Sequence, residues 1–266
     1  MIAVLCYHRV GGQLELGVTR VGRSVFARQM TALAAAGWRT LTLAQFRDST
    51  LKDNAAFGMP HSAFLLTFDD GYASLADYAY PVLADLGFTA LTFLVTDFVG
   101  YENTWDVRYT WRRLRHLDWE TIAQWRTRGL EFASHTARHR RLTWLDDEAL
   151  AEELGRSRQV LVSRLGPEAG RAVAYPFGAV DERVVRAARA AGFELGFGGV
   201  AGGGGGGDHG SLMHVSRLPV YVWDAGAVPF GLREDAVGAV GRAVARAANR
   251  CAIGTSVMRR LAGLAS

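Results

Sequence analysis

The chain lacks the features that mark disulfide-stabilised, membrane-spanning and nucleic-acid-binding proteins. Its 266 residues include only two cysteines, Cys6 and Cys251, which excludes a framework of disulfide bonds. No run approaches the roughly eighteen consecutive apolar residues that a membrane-spanning helix needs. Positive and negative charges nearly balance, with a net charge of +4, so the composition predicts no nucleic-acid partner.

The start of the chain also lacks a basic stretch followed by a long apolar stretch, which is the pattern of a secretory signal peptide. The chain begins instead on the short apolar segment 2–8, which is typical of a buried strand. We therefore expect a cytoplasmic protein.

Apolar residues are plentiful, at 49% of the chain, which is enough for one large core. Strand-like and helix-like segments alternate. Helices are predicted over 77–86 and after four capping residues, Ser24, Asp118, Asp146 and Asp181. Strands are predicted at 2–8, 63–70, 88–96, 130–133, 173–175, 193–197 and 216–222. Repeated strand–helix units predict an α/β fold with a parallel sheet, and about seven of them predict a closed or nearly closed barrel of seven to eight β/α units in a single domain.

We assign the barrel to residues 1–230 and a basic helical tail to residues 231–266. Within the tail, Val237, Val240 and Val244 recur near helical spacing, and arginines lie on another face. Such a helix either packs across the base of the barrel or makes a weak contact with an anionic membrane surface.

Two adjacent carboxylates, Asp69 and Asp70, end the apolar strand 63–70. Like charges this close repel each other, so at least one of them needs a cation or a proton. Two histidines, His135 and His139, are spaced i, i+4 and would share one face of a helix. One carboxylate and two imidazoles form the ligand set of a catalytic divalent metal. The sequence therefore predicts that Asp70, His135 and His139 bind zinc, with cobalt, nickel, manganese or iron as alternatives.

Asp69 adjoins this ligand set and has two possible roles. It can act as a general base that takes a proton from an attacking water. Alternatively, it orients His135 or His139 from outside the ligand set.

Three segments together resemble one family, the polysaccharide deacetylases of carbohydrate esterase family 4. Residues 67–71 read Thr-Phe-Asp-Asp-Gly, residues 135–139 supply His-x-x-x-His with Leu142 nearby, and residues 174–178 read Ala-Tyr-Pro-Phe-Gly. The resemblance implies a deformed β/α barrel that removes acetyl groups from N-acetylated sugars with the help of a metal. It also implies that Asp69 is the general base and that the backbone N–H of Phe177 binds the oxyanion.

The chain departs from the family pattern at Ala174, where the family has an arginine that steadies the base. Arg217, in a later strand, could supply the missing charge. Alternatively, Arg217 is an ordinary arginine at the surface or at the end of a strand.

Two histidines are candidates for the acid that protonates the leaving amine. His214 matches the Leu-x-His letters that the family usually carries near its C-terminus, whereas His8 ends the first strand. Deacetylases of the poly-N-acetylglucosamine type carry this histidine at the N-terminal strand, and the segments 26–33 and 37–38 also resemble that branch. We therefore prefer His8.

Aromatic residues near the site could stack on the faces of a sugar. Tyr175 and Trp105 are our candidates for sugar contacts, although an aromatic residue in a barrel is often part of its core. Gly202–Gly207 is a run of six glycines that predicts a flexible loop, either a neutral insertion or a border of the site.

The sequence thus predicts a metal-dependent hydrolase whose partner is an acetylated sugar. It would remove the N-acetyl group of an N-acetylhexosamine in a glycan, a lipid-linked sugar or a glycosylated small molecule. The alternatives are an amidase acting on another non-peptide C–N bond and a catalytically silent glycan-binding module.

Overall fold

The computed structural model describes residues 2–12, 18–51, 62–103, 113–199, 212–244 and 247–248. A curled parallel sheet forms its centre. The strands are β1 (Ala3–Tyr7), β2 (Arg9–Val10), β3 (Arg20–Val21), β4 (Arg39–Thr40), β5 (Ala63–Phe68), β6 (Leu91–Leu94), β7 (Glu131–Ser134), β8 (Ala172–Ala174), β9 (Leu195–Phe197) and β10 (Leu218–Pro219). The sheet order is β10-β1-β5-β6-β7-β8-β9, β4 pairs with the start of β5, and β2 and β3 form a separate pair.

The segment 212–219 joins the two ends of this sheet. At one end, Val215 forms a parallel bridge with Phe197 of β9. At the other end, Leu218 of β10 lies opposite Leu5 of β1. The predicted deformed β/α barrel is thereby confirmed.

Side-chain direction alternates along the strands, and this alternation separates two apolar cores. Ala63 and Leu65 of β5 belong to an inner cluster together with Val4, Ala133 and other residues of neighbouring strands. Phe64, Leu66 and Phe68 belong to an outer cluster that packs against the surrounding helices. Both faces of the sheet are therefore buried, which explains why its strands read as continuous apolar runs.

The same alternation predicts which residues face inward beyond the strand ends. Continuing inward from Leu65 leads to Asp69, continuing from Val4 leads to His8, and continuing from Ala133 leads to His135. These three residues follow the carboxyl ends of β5, β1 and β7, on the face where β/α barrels carry their active sites.

In the described part of the chain, the sheet is accompanied by the helices α1 (Arg23–Ala35), α2 (Leu43–Leu51), α3 (Ser74–Tyr78), α4 (Tyr80–Asp85), α5 (Trp119–Arg126), α6 (Asp147–Leu165) and α7 (Glu182–Ala190). Residues 236–244 are helical as well. Three predicted caps are confirmed, because Asp118, Asp146 and Asp181 each accept a hydrogen bond from the backbone N–H three residues later.

Two helix predictions were wrong. Helix α1 is preceded by Gly22, with no side-chain cap, so Ser24 lies inside the helix. The predicted helix 77–86 is two short helices, α3 and α4, because Pro81 has no N–H to continue the hydrogen-bond ladder across their junction.

Within the described residues, none of the helices combines the length and the apolar character needed to cross a membrane. The division into a barrel at 1–230 and a tail at 231–266 stays a prediction, because most of the tail beyond 244 lies outside the described residues.

Candidate metal and catalytic site

The three predicted metal ligands lie together at the carboxyl end of the sheet. The Nε2 atoms of His135 and His139 are 3.6 Å and 3.4 Å from Oδ1 of Asp70. Asp70 and His135 are buried, and ligand atoms of all three residues lie within 4.8 Å of one another. The ring centres of the two histidines are 4.9 Å apart. A group of one carboxylate and two imidazoles therefore converges on a common point.

The histidine segment is not a helix, contrary to the geometry expected from the i, i+4 spacing. After His135 the chain turns through two left-handed residues, Thr136 at φ 67° and His139 at φ 59°. A carboxylate oxygen of the buried Glu153 on α6 accepts a hydrogen bond of 2.9 Å from the backbone N–H of Arg138. The two imidazoles are thus brought together by a loop that is hydrogen-bonded to α6, and not by the periodicity of a helix.

The chemistry of the donor set fits a divalent metal. His135 Nδ1 lies 2.8 Å from the carbonyl oxygen of Ala174. Because a carbonyl only accepts, Nδ1 carries the proton, and the lone pair of Nε2 is directed toward Asp70. Burial lowers the pKa of His135, although Asp69 partly opposes this effect. The imidazole is therefore neutral, as a metal ligand must be.

Asp69 is held by a buried arginine from the other end of the chain. Nη1 and Nη2 of Arg217 donate to Oδ1 and Oδ2 of Asp69 at 2.6 Å and 2.8 Å. Nε of the same guanidinium donates to the carbonyl oxygen of Gly198 at 3.1 Å. Burial would raise the pKa of Asp69, but the charge of Arg217 and its hydrogen bonds outweigh burial and hold the pKa well below its usual range. Asp69 is therefore an ionised carboxylate in a fixed orientation.

His8 and Cys6 approach the same oxygen of Asp69. His8 Nε2 is 3.9 Å from Oδ2, and the sulfur of Cys6 is 3.6 Å from it. The side chain of His8 is 24% exposed, whereas that of Asp69 is 4% exposed. His8 therefore lies between the buried carboxylate and solvent. His214 lies elsewhere, against Gly198 just after β9.

Phe177 and Tyr175 have different environments, although they are close in sequence. Phe177 has φ 61° in the turn Pro176–Gly178, and its ring centre is 4.9 Å from that of His139. Tyr175 is fully buried, and its hydroxyl donates to the carbonyl oxygen of Met213 at 3.0 Å. Tyr175 is therefore part of the core, and the prediction that it contacts substrate is corrected.

Two other predictions concern residues outside the described part of the chain. Trp105 and the run Gly202–Gly207 lie outside the described residues, so the roles predicted for them stay predictions.

Backbone strain is concentrated at this site. Among the described residues, the non-glycine residues with positive φ are Asp70, Thr136, His139 and Phe177. A left-handed conformation is uncommon for such residues, above all for a β-branched threonine. All four lie in the turns that carry or adjoin the proposed ligands, which is where strain is typically stored for function.

Sequence reasoning missed three buried residues around the site: Cys6, His116 and Glu153. His116 Nδ1 lies 2.7 Å from the backbone carbonyl oxygen of Asp70, and burial lowers the pKa of this imidazole to about 4. Neither His116 nor Glu153 belongs to one of the quoted motifs, and their positions on unrelated segments give no local signal. The apolar setting of Cys6 in β1 resembles that of any core cysteine.

Comparisons with known proteins identify one family. The polysaccharide deacetylase family profile matches residues 58–196, just over half of the chain. One relative, YxkH of Bacillus subtilis, carries the name of this family. It is 26% identical over 195 residues, which are 73% of this chain. That match covers 63% of YxkH, so the chain spans less than two thirds of the length of this relative.

Two further relatives have more specific names. The poly-β-1,6-N-acetyl-D-glucosamine N-deacetylase of Staphylococcus epidermidis is 26% identical over 214 residues, covering 73% of this chain and 70% of that protein. The solved structure of IcaB from Ammonifex degensii is 26% identical, with a TM-score of 0.66, and the match covers 82% of this chain and 91% of that one.

Proposed function

Because this chain belongs to the polysaccharide deacetylase family, we propose that it removes the N-acetyl group of an N-acetylhexosamine with the help of one divalent metal, most suitably zinc. The substrate would be a glycan, a lipid-linked sugar or a glycosylated small molecule. One observation carries the proposal. The ionised pair of Asp69 with Arg217 lies directly beside the converging group of Asp70, His135 and His139.

Asp70, His135 and His139 would hold the metal, which supplies a Lewis acid that polarises the acetyl carbonyl and makes water more acidic. Asp69 would take a proton from the attacking water as its oxygen bonds to the acetyl carbon. Arg217 keeps both oxygens of Asp69 in place. The backbone N–H of Phe177 would donate to the oxyanion, a role that the family resemblance supports.

The second proton transfer completes the reaction. When the C–N bond breaks, the amine nitrogen needs a proton, and His8 would donate it. The position of His8 supports this role, since it adjoins Asp69 and is partly open to solvent. The products are acetate and a free amino sugar.

The test of this function is acetate release from purified protein. We expect N-acetylglucosamine oligomers, including the β-1,6-linked form, to lose acetyl groups, with mass spectrometry showing the corresponding mass decrease. Activity should disappear with chelator and return with Zn²⁺. Chelator-resistant release would contradict the proposed metal requirement, and release from a non-sugar amide only would favour the amidase alternative. Binding without any release would favour a silent module.

Replacing His8 with alanine is expected to lower kcat about a hundredfold or more, as is typical for loss of a general acid. His214→Ala should have a much smaller effect, because His214 packs against Gly198 rather than beside Asp69. Steady-state kinetics of both variants at saturating metal provide the comparison. The reverse ranking would assign the acid to His214 and refute the placement of the acid at the N-terminal strand.

A weak membrane contact of the tail is a further prediction. Val237, Val240 and Val244 are 50%, 63% and 44% exposed on the helical residues 236–244, and arginines accompany them in sequence. We expect salt-sensitive binding to anionic vesicles that Val240→Glu weakens, while the matched surface variant Leu51→Glu has no effect. Co-sedimentation at low and high salt measures it. Absence of pelleting, or equal pelleting after truncation at Arg233, contradicts the idea.

A further inference from the structure

Residues 114–117 form a short segment that is hydrogen-bonded to the acidic turn, by which we mean residues 69–73 with Asp69 and Asp70. The backbone N–H of Leu117 donates to the carbonyl oxygen of Gly71, and that of Ala73 donates to the carbonyl oxygen of Arg115, both at 2.9 Å. Between these two bonds, His116 forms an antiparallel bridge with Tyr72. The segment is therefore bonded along the turn that follows Asp70.

Within this segment, the side chain of His116 contacts the peptide group of Asp70, which is one of the three proposed metal ligands. Its Nδ1 is 2.7 Å from the carbonyl oxygen of Asp70, and the imidazole is 2% exposed. Because a carbonyl oxygen only accepts, Nδ1 must carry the proton. The ring is also fixed by packing, since its centre lies 5.0 Å from that of Tyr72 and 6.1 Å from that of Phe98.

The peptide group that joins Asp70 to Gly71 is held at both ends. Its oxygen accepts from His116, and its N–H donates to the carbonyl oxygen of Asp69 at 2.9 Å. The residues on either side of it both have φ 67°. Asp70 is not a glycine, so this left-handed conformation is strained and requires support from outside the turn.

We propose that His116 is a positioning residue for the metal site: its Nδ1–H fixes the left-handed backbone of Asp70 and thereby aims the carboxylate at His135 and His139. Without this donor the carbonyl loses this hydrogen bond, and the turn relaxes toward an ordinary conformation. The carboxylate then moves away from the two imidazoles. The inference rests on the metal site proposed above.

The experiment compares two substitutions of similar size. In His116→Asn the amide nitrogen occupies nearly the position of Nδ1 and can still donate, whereas His116→Leu fills the space without a donor. We expect His116→Leu to bind Zn²⁺ about 10- to 100-fold more weakly, the usual effect of losing a partner of a ligand. His116→Asn should keep most of the wild-type affinity. Competition of apo-protein with a chromophoric chelator measures both.

Tyr80→Phe is the matched control for general destabilisation. It removes a buried hydrogen bond of 2.8 Å to Thr92, in the outer core rather than in the acidic turn. We expect Tyr80→Phe to lower the melting temperature of the apo-protein without changing Zn²⁺ affinity. A decrease in affinity that tracks melting temperature across all three variants would show a merely structural role for His116.

Two other results would overturn the inference. One is wild-type affinity in His116→Leu. The other is a tenfold or greater loss in a folded His116→Asn variant, which decides the question even if His116→Leu does not fold. Failure of the proposed function looks different, because wild-type protein would then bind no Zn²⁺, or would bind it and release no acetate.

Discussion

Replacing His135 or His139 with alanine is expected to reduce bound divalent metal from about one ion per chain to almost none. Each substitution leaves two of three protein ligands, and a catalytic site with three protein ligands does not retain its ion once one is lost. His135 should be the more sensitive position, because its free lone pair is fixed by the Nδ1 contact with the carbonyl oxygen of Ala174. Activity should fall with the metal.

Elemental analysis after dialysis against metal-free buffer measures this effect, with His214→Ala as the control for loss of a histidine. Equal metal content in wild-type protein and in both ligand variants would show that the ion is bound elsewhere. Circular dichroism of each variant checks that the barrel is folded, so that loss of metal is not a consequence of unfolding.

Asp69→Asn is expected to separate catalysis from metal binding. Asp70, His135 and His139 remain, so the variant should keep its ion. An amide cannot take up the proton of the attacking water, and we expect kcat to fall by about two orders of magnitude or more. A near-wild-type rate would instead make Asp69 a residue that only orients its neighbours, which is the alternative role considered from the sequence.

The same substitution should also destabilise the protein, since it leaves the guanidinium of Arg217 buried without its counter-ion. Removing one partner of a buried ion pair typically costs about 3–5 kcal/mol. The double variant with Arg217→Met replaces both partners and should recover much of this loss without recovering activity. Chemical denaturation of the single and double variants measures the difference. If the double variant is no more stable than Asp69→Asn, the pair does not behave as a coupled unit.

The sequence was sufficient for the parts of the site that depend on strand periodicity and local motifs. Asp69 and His135 directly follow the apolar runs that form β5 and β7, so their place at the carboxyl ends of these strands was readable from the sequence. The caps Asp118, Asp146 and Asp181 were predictable because capping is a local interaction. The barrel was predictable because strand–helix units repeat along the chain.

Contacts between distant segments were less accessible. Arg217 pairs with a residue 148 positions away, and the sequence could offer this only as one of two roles. The turn after His135 has no glycine, so nothing in its composition signals the left-handed residues that bring the imidazoles together. Tyr175 had the right neighbours in sequence but a buried ring. In each case, tertiary hydrogen bonds or packing overrode the local pattern.

The left-handed residues at the site have an evolutionary consequence. Such backbone strain costs on the order of 1–3 kcal/mol per residue, and glycine would relieve most of it. Thr136 and Phe177, which are the least suited to this conformation, thus lower the stability of the folded chain. Once selection for activity ends, these positions should be among the first to drift toward glycine. Glycine at the positions of Thr136 and Phe177 in a homologous chain would therefore mark a chain in which these turns no longer carry the strain.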